Sequence, residues 1–539
     1  MRKLIVNGNI ITMDPNKTRV EAMCIDDHTF TAVGSNEEIL RLMEEGAECI
    51  NLQGKTVLPG LFETHMHVLS LGMLLKDINH NSCNSVQNLI EHSRKHIVTN
   101  RIPEGKWIRG RGWNQDNFSD ESRFITRYDL DKVSKTHPLA FTRTCGHVIV
   151  VNSKALEIMG MADNAPEIEG GQIDLDENGV PLGIFRERAR ACVLNAIPEM
   201  SLEEVKELIC LSMDEAVAYG ITEIHTDDFK DIPTNYQKVI DAYEELVAEG
   251  KMKLRVYEQC NLPSVEKIQH FLDAGYYTGY GTEKFKLGPL KLLSDGSLGA
   301  RTAYLNEPYS DMQATKGIPL FTQQELDDMI GKCHKAGMQV AIHAIGDGAI
   351  DMVLNSIEKA KKELPRENER HGIIHCQITT PQQIDKMKAM DLIAYIQPIF
   401  LNYDIDIAQD RIGERALTAY NWKEFLDKGV MVSGSSDCPV ESLNIMENIY
   451  AAVVRKNLKG LPEGGWRANQ NLTVEEALKI FTINSAYTSF SEDKKGSITP
   501  GKLADFVVID NDIFAVAHEK IKDIKVIQTY LGGDLVYSL

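Results

Sequence analysis

Between about residues 59 and 480, short apolar runs rich in Val, Ile and Leu alternate with stretches whose apolar residues recur at helical spacing. That rhythm predicts strands and crossover helices in turn, the signature of a parallel α/β architecture. The predicted strands are Leu58–Phe62, Leu139–Arg143, Ile221–His225, Lys253–Gln259, Leu287–Leu293, Gln339–His343, Gly372–His375, Leu392–Gln397 and Val430–Ser433. Helices are predicted between them, for example over Leu202–Tyr219, Pro233–Glu249 and Gln323–Ala336. A closed (β/α)8 barrel takes about 250 residues, so this region must carry an insertion. The pattern places it at about 76–200, where the βα rhythm fades and Trp, Arg, Asn and Gly accumulate.

The two ends of the chain read differently. Strand-like runs at Leu4–Met13, Ala22–Ile25, Thr29–Val33, Cys49–Leu52 and Thr56–Leu58 are separated by turns, with one short helix at about Asn36–Glu45. The first run predicts a hairpin turning at Asn7-Gly8-Asn9. Strand-like segments return over Gly496–Asp510 and Ile524–Tyr537. The expectation is a small β-sandwich domain built from residues 1–58 and 481–539, with a barrel of residues 59–480 between them.

Composition narrows the classes. Hydrophobic residues make up 43% and charged residues 25% of the 539, as in soluble globular proteins. The formal charge of −20 comes without any basic run, which argues against nucleic acid and anionic membrane as partners. No apolar run approaches the ~20 residues needed to span a bilayer, and the N-terminus lacks the pattern of a secretory signal. The ten cysteines are scattered without a Cys-x-x-Cys pair, against a zinc knuckle or a disulfide framework. The expectation is a reduced, cytoplasmic protein acting on a small molecule, and a homodimer suits a barrel of this size.

The chemistry collects at strand ends. His65 and His67 stand two apart after an apolar run, so they share one face of a strand and present two imidazoles to one point. Lys291, His343 and His375 close or interrupt later predicted strands, and Asp437 follows the last one in Ser433-Gly434-Ser435-Ser436-Asp437. Each alone has an ordinary reading: a core histidine, a rim lysine, an Asp capping a turn. In a (β/α)8 barrel the C-terminal strand ends converge, and together the six make an inner shell for one or two divalent metals. Nitrogen and oxygen ligands of this kind suit Zn²⁺ or a similar first-row metal.

These motifs resemble the metal-dependent amidohydrolase superfamily, and within it the YtcJ-like group, the amidohydrolase 3 family. The likeness runs through Pro59-Gly60 to His65-Met66-His67, Lys291 to Ala303, His343-Ala344-Ile345-Gly346-Asp347, His375-Cys376-Gln377 and Gly434 to Val440. It continues in the insertion at Trp107 to Trp113 and Gly146-His147, and at the C-terminus over Gly496 to Asp505. The resemblance implies that His65 and His67 bind one metal and His343 and His375 a second. It implies a Lys291 open to carbamylation, which would turn a cation into a bridging carboxylate, and an Asp437 that serves as both ligand and proton shuttle. The sequence departs from the family at Glu63, where Asp is commoner, and at Ile374, where an acid is frequent.

The implied activity is hydrolysis of a C–N bond of amide type, with an N-acyl or N-formyl amine as the leading substrate, by metal-activated hydroxide. His147 is the expected donor to the oxyanion, and Trp113 and Arg301 are expected to touch substrate, although the ordinary readings of all three are a loop histidine, a core aromatic and a loop-locking arginine. Two alternatives stand: a hydrolase of another bond (a lactone, a phosphoester, or an amidine in deamination) on the same scaffold, and a non-catalytic binding homologue. The second predicts lost ligands, and all six are present.

Overall fold

The computed structural model describes residues 2–232 and 235–539. The chain divides into two compact units, residues 1–71 with 209–539, and residues 72–208.

The first unit contains the barrel. Its strands, in chain order, are β1 (Leu61–Met66), β2 (Ile221–Thr226), β3 (Arg255–Asn261), β4 (Phe285–Leu293), β5 (Val340–Ala344), β6 (Gly372–His375), β7 (Ile393–Ile396) and β8 (Met431–Gly434). Each pairs in parallel with the next, giving one eight-stranded (β/α)8 sheet in sequence order. Strands β1 and β2 are buried at every position, which is why they read as continuous apolar runs rather than alternating ones. Side chains stitch β8 to β1: Ser433 Oγ donates to Thr64 Oγ1 at 2.9 Å, and Thr64 Oγ1 donates to the Gly434 carbonyl at 2.9 Å. The helix Ile483–Thr488, beyond the expected end of the barrel at residue 480, packs on β8 and β1. The helix expected from Pro233 runs over Tyr236–Ala248, and its predicted start lies outside the described residues.

Two further sheets in this unit hold the chain ends. Lys3–Val6 joins Ala22–Asp26 and Glu48–Asn51 in one, whereas Asn9–Ile11 joins Arg19–Val20 and Thr56–Pro59 in the other. The hairpin expected at Asn7-Gly8-Asn9 therefore does not form. The turn, with Asn7 at φ 56°, carries the chain from one sheet to the other, a choice that the apolar pattern of the two runs does not encode. Phe506–Ile509 pairs antiparallel with Thr56–Pro59, so both ends of the chain share one sheet. Ile5, Ile10, Met23, Phe30, Val57, Phe506 and Tyr530 form the core between the sheets, and the Phe506 and Tyr530 rings stack at 4.3 Å. Gly60 sits where the chain passes from this sheet into β1. A Cβ there would lie 2.2 Å from Thr222 Oγ1, which leaves no room for any side chain.

A buried ion pair ties the C-terminal segment to the barrel. Arg255 on β3 grips Asp505 through Nε at 2.8 Å and Nη2 at 2.9 Å, and Asp505 also accepts the Gly532 N–H at 2.7 Å. Removing one partner strands the other charge in the interior, at a cost of about 3–5 kcal/mol. Asp505→Ala is expected to lower the denaturation free energy by that amount. A loss under about 1 kcal/mol, the usual worth of a surface pair, would count against this role.

The second unit is built on its own six-stranded sheet, in the order Gly171–Leu175, Pro181–Glu187, Val148–Val151, Leu139–Arg143, Ile108–Trp113, Ile78–Asn79. Leu139–Arg143, a predicted strand within the expected insertion, belongs to this sheet. Its short apolar run specifies a buried strand but not which sheet buries it. Trp113, expected to touch substrate, is wholly buried among Leu89, Ile125, Leu130 and Phe141 and donates its indole N–H to the Phe141 carbonyl at 3.1 Å. It is a core residue with no face left for a ligand.

Candidate metal centre

Strand β1 delivers His65 next to its last position, and His67 follows directly after the strand. Lys291 lies on β4, His343 on β5, and His375 ends β6, all toward the C-terminal ends of their strands. Asp437 stands in the loop after β8, with φ 60°, and its N–H donates to the His65 carbonyl at 2.9 Å. His375 is also left-handed, at φ 80°. Non-glycine residues held in this region store strain, and such strain collects at functional sites.

The six side chains come together. The Oδ1 of Asp437 is 2.9 Å from His67 Nε2 and 3.4 Å from His65 Nε2. Yet that oxygen, fully buried, takes part in no hydrogen bond. Lys291 Nζ is 3.5 Å from His65 Nε2. The ring centroids of His65 and His375 are 5.6 Å apart, and those of His343 and His375 4.4 Å. Ligand atoms of His65, His67 and Asp437 all lie within 4.8 Å of one another. Two imidazole nitrogens and a buried carboxylate oxygen facing one another form a donor set for a divalent cation.

Residues outside this set fix its orientation. Gln259 on β3 holds His65 Nδ1 at 2.7 Å while its own amide donates to the Thr64 carbonyl at 3.0 Å. Gln397 holds His375 Nδ1 at 2.7 Å while donating to Ser435 Oγ at 2.8 Å. With each amide nitrogen engaged elsewhere, each glutamine offers its oxygen to the ring N–H, which leaves Nε2 of both histidines as a lone pair. His343 Nε2 is 3.1 Å from the Gly296 carbonyl and 3.2 Å from Asp295 Oδ1. Asp295 is buried and accepts the N–H groups of Tyr304, Ile345 and Gly346, so it locks the loops around His343. Glu63 reaches from β1 to the β8 loop, accepting the N–H of His65 at 3.0 Å and of Ser436 at 2.9 Å and 3.1 Å.

Burial sets the charge states. It holds His65 and His375 well below the usual imidazole range, so both are neutral ligands. It pulls Lys291 down to about 8, against the pull of Asp227 and Asp437. It pushes Glu63 up to about 8, opposed by the N–H groups that Glu63 accepts. For Asp437 burial also pushes upward, but the contact with His67 Nε2 more than reverses it and holds the carboxyl below its ordinary range. Asp437 is thus ionised at neutral pH while next to it stands a lysine with an accessible neutral form.

Among the other expected site residues, Arg301 is already engaged. Its Nε and Nη2 grip Asp311 at 3.0 Å and 2.7 Å, and the same carboxylate takes Arg411. It locks the loop after β4 and is not free to bind substrate. His147 is exposed on the second unit, with Nδ1 3.0 Å from Glu187 Oε2. Sequence reasoning missed Gln259 and Gln397, although each closes a predicted strand with a polar residue, the same signal that marked the histidines. It also missed Asp227, which follows β2: buried, with Oδ2 accepting from Asn261 Nδ2 at 3.2 Å and Oδ1 without a partner.

Known proteins share this arrangement of chain. Residues 48–537 match the model of the amidohydrolase family. A Bacillus subtilis (strain 168) protein assigned as amidohydrolase YtcJ is 31% identical over 548 residues, covering 100% of both chains. The N-substituted formamide deformylase of Arthrobacter pascens is 25% identical over 552 residues, covering 99% of this chain and 98% of that one. A crystal structure of an uncharacterized metal-dependent hydrolase from Pyrococcus furiosus superposes with a TM-score of 0.79 at 29% identity, over 95% of this chain and 99% of that one. With a family match over nearly its whole length, this chain belongs to the amidohydrolase family and is a metal-dependent hydrolase.

Proposed function

We propose that this chain hydrolyses an N-acyl or N-formyl amine, with Asp437 as the proton shuttle. The observation that carries the reading is the position of the Asp437 carboxylate, ionised, buried and without a hydrogen bond, between His65 and His67. A bound divalent cation, with zinc the one this nitrogen and oxygen set suits, supplies Lewis-acid activation of water and carbonyl there. His65, His67 and Asp437 would hold one ion, and His343 and His375 a second, with Lys291 between them. A neutral Lys291 amine, accessible because its pKa is lowered, would take up CO₂ with loss of a proton to give a carbamate, a negatively charged oxygen ligand in place of a cation.

Asp437 accepts the proton released as water attacks the carbonyl carbon and returns it to the departing nitrogen. Asp227 Oδ1 is a buried acceptor near Lys291, suited to an N–H of the amine portion. The full-length likeness to a formamide deformylase supports a formyl or small acyl group.

The test is a panel of N-formyl and N-acyl amines, a lactone and a phosphate ester, offered to the zinc- or manganese-loaded protein. Release of a primary amine and a carboxylate from the first two classes is expected. Turnover of the lactone or the phosphate ester alone would overturn the reading.

A further inference from the structure

Away from the metal centre, the helix Ile445–Val454 that follows β8 ends at Arg455, in the left-handed region at φ 51°. Arg455 is 0% exposed, and its Nε donates to the Trp466 carbonyl at 2.8 Å. The guanidinium lies over the Trp422 ring at 4.5 Å and the Trp466 ring at 5.4 Å. Its Nη1 and Nη2 are both buried and have no hydrogen-bond partner.

A second guanidinium is close by. Arg467, also left-handed at φ 49°, lies 5.9 Å from the same Trp466 ring and donates from Nη2 to Asn421 Oδ1 at 2.7 Å, while its buried Nη1 has no partner. Among the described residues, neither arginine forms an ion pair with a carboxylate. Glu424 acts on Arg467 only from beyond ion-pair distance.

Two adjacent buried cations without a counter-charge are costly, and an arginine does not escape by losing its proton. Burial and mutual repulsion pull Arg455 down to about 9, and burial pulls Arg467 down to about 10. The indole faces compensate part of that cost, but they cover the flat of a guanidinium and not its N–H edge. Donors at that edge call for an acceptor carrying negative charge.

We propose that the free N–H edge of Arg455, assisted by Arg467, binds a small monovalent anion of chloride size. The complete burial of Arg455 favours a monatomic ion over an organic acid. Solvent reaches the residues on either side, because Val454 and Lys456 line a surface cavity. The bound ion is structural. It neutralises the cluster that joins the helix after β8 to Trp422, which opens the helix before β8, and to Tyr420, whose N–H donates to the Gln377 carbonyl two residues beyond His375.

The test is a crystal of the full-length protein grown in sodium bromide, with anomalous diffraction collected at the bromine edge. Alongside it, melting temperature is followed against chloride at constant ionic strength, with gluconate as the replacement anion. An anomalous peak at hydrogen-bond distance from Arg455 Nη1 or Nη2 is expected. So is a saturable rise of several degrees with chloride, absent from Arg455→Met and reduced in Arg467→Met. Bromide found only elsewhere on the surface, with water at the Arg455 edge, would overturn the proposal. So would a chloride response that is unsaturable or unchanged in the variants. The diffraction result stands even where Arg455→Met does not fold.

Discussion

Asp437→Asn is expected to lower turnover by about 10²–10⁴, the range that a positioned general base or acid contributes, while the folded structure is kept. The substitution conserves shape and leaves one oxygen among His65 and His67. Asn tolerates the left-handed backbone that Asp437 adopts at φ 60°, so the loop is not strained by the change. What the amide cannot do is accept a proton. The measurement is kcat on the best substrate of the panel, with far-UV circular dichroism and metal content recorded on the same sample. A fall of less than tenfold with full metal occupancy would remove Asp437 from the proton path and assign it a ligand role alone.

Glu63→Ala is expected to unsettle both the fold and the site. The carboxylate is the acceptor for the N–H groups of His65 and Ser436, one on each side of the β1–β8 seam. Both would be left buried and unpaired, at about 1–3 kcal/mol each. The residues they position, His65 and Asp437, would lose their mutual alignment, and loss of such support lowers metal affinity by about 10–100-fold.

The milder Glu63→Gln tests the charge. In the metal-free protein the folded-state pKa of Glu63, about 8, lies above its ordinary value of 4.5. The folded chain therefore holds this proton more tightly than the unfolded chain. The resulting stabilisation is full below pH 4.5 and is lost as pH rises toward 8. Denaturant midpoints of the metal-free wild type between pH 5 and pH 8 are expected to fall with pH, and part of that slope should vanish in Glu63→Gln. Identical slopes would show that Glu63 ionises normally in the fold.

The barrel was legible because its strands are buried on both faces and so read as uninterrupted apolar runs. Eight of the nine predicted segments lie in it, and their polar ends mark where side chains converge. The ninth, Leu139–Arg143, has the same local character and lies within the predicted insertion, and its partners there are fixed only by tertiary pairing. The failed hairpin at Asn7-Gly8-Asn9 has the same origin: apolar runs state that strands exist, not which partner each will take. Gln259 and Gln397 carry the same strand-end signal as the histidines, but their roles were not legible for another reason. Each acts on a histidine carried by a different strand, a relation that exists only once the barrel has formed. Trp113 and Arg301 were assigned to substrate on residue type, and burial in one case and pairing with Asp311 in the other decide against it.

The central claim is that His65, His67, Lys291, His343, His375 and Asp437 form one centre for divalent cations. Metal content per chain, measured by elemental analysis on purified wild type and on His65→Ala after identical reconstitution with Zn²⁺ or Mn²⁺, tests it most directly. One or two ions per chain in the wild type, with a loss of at least one in His65→Ala, is the predicted result. A wild type that binds no divalent cation after reconstitution, or a His65→Ala chain that binds as much as the wild type, would contradict the account.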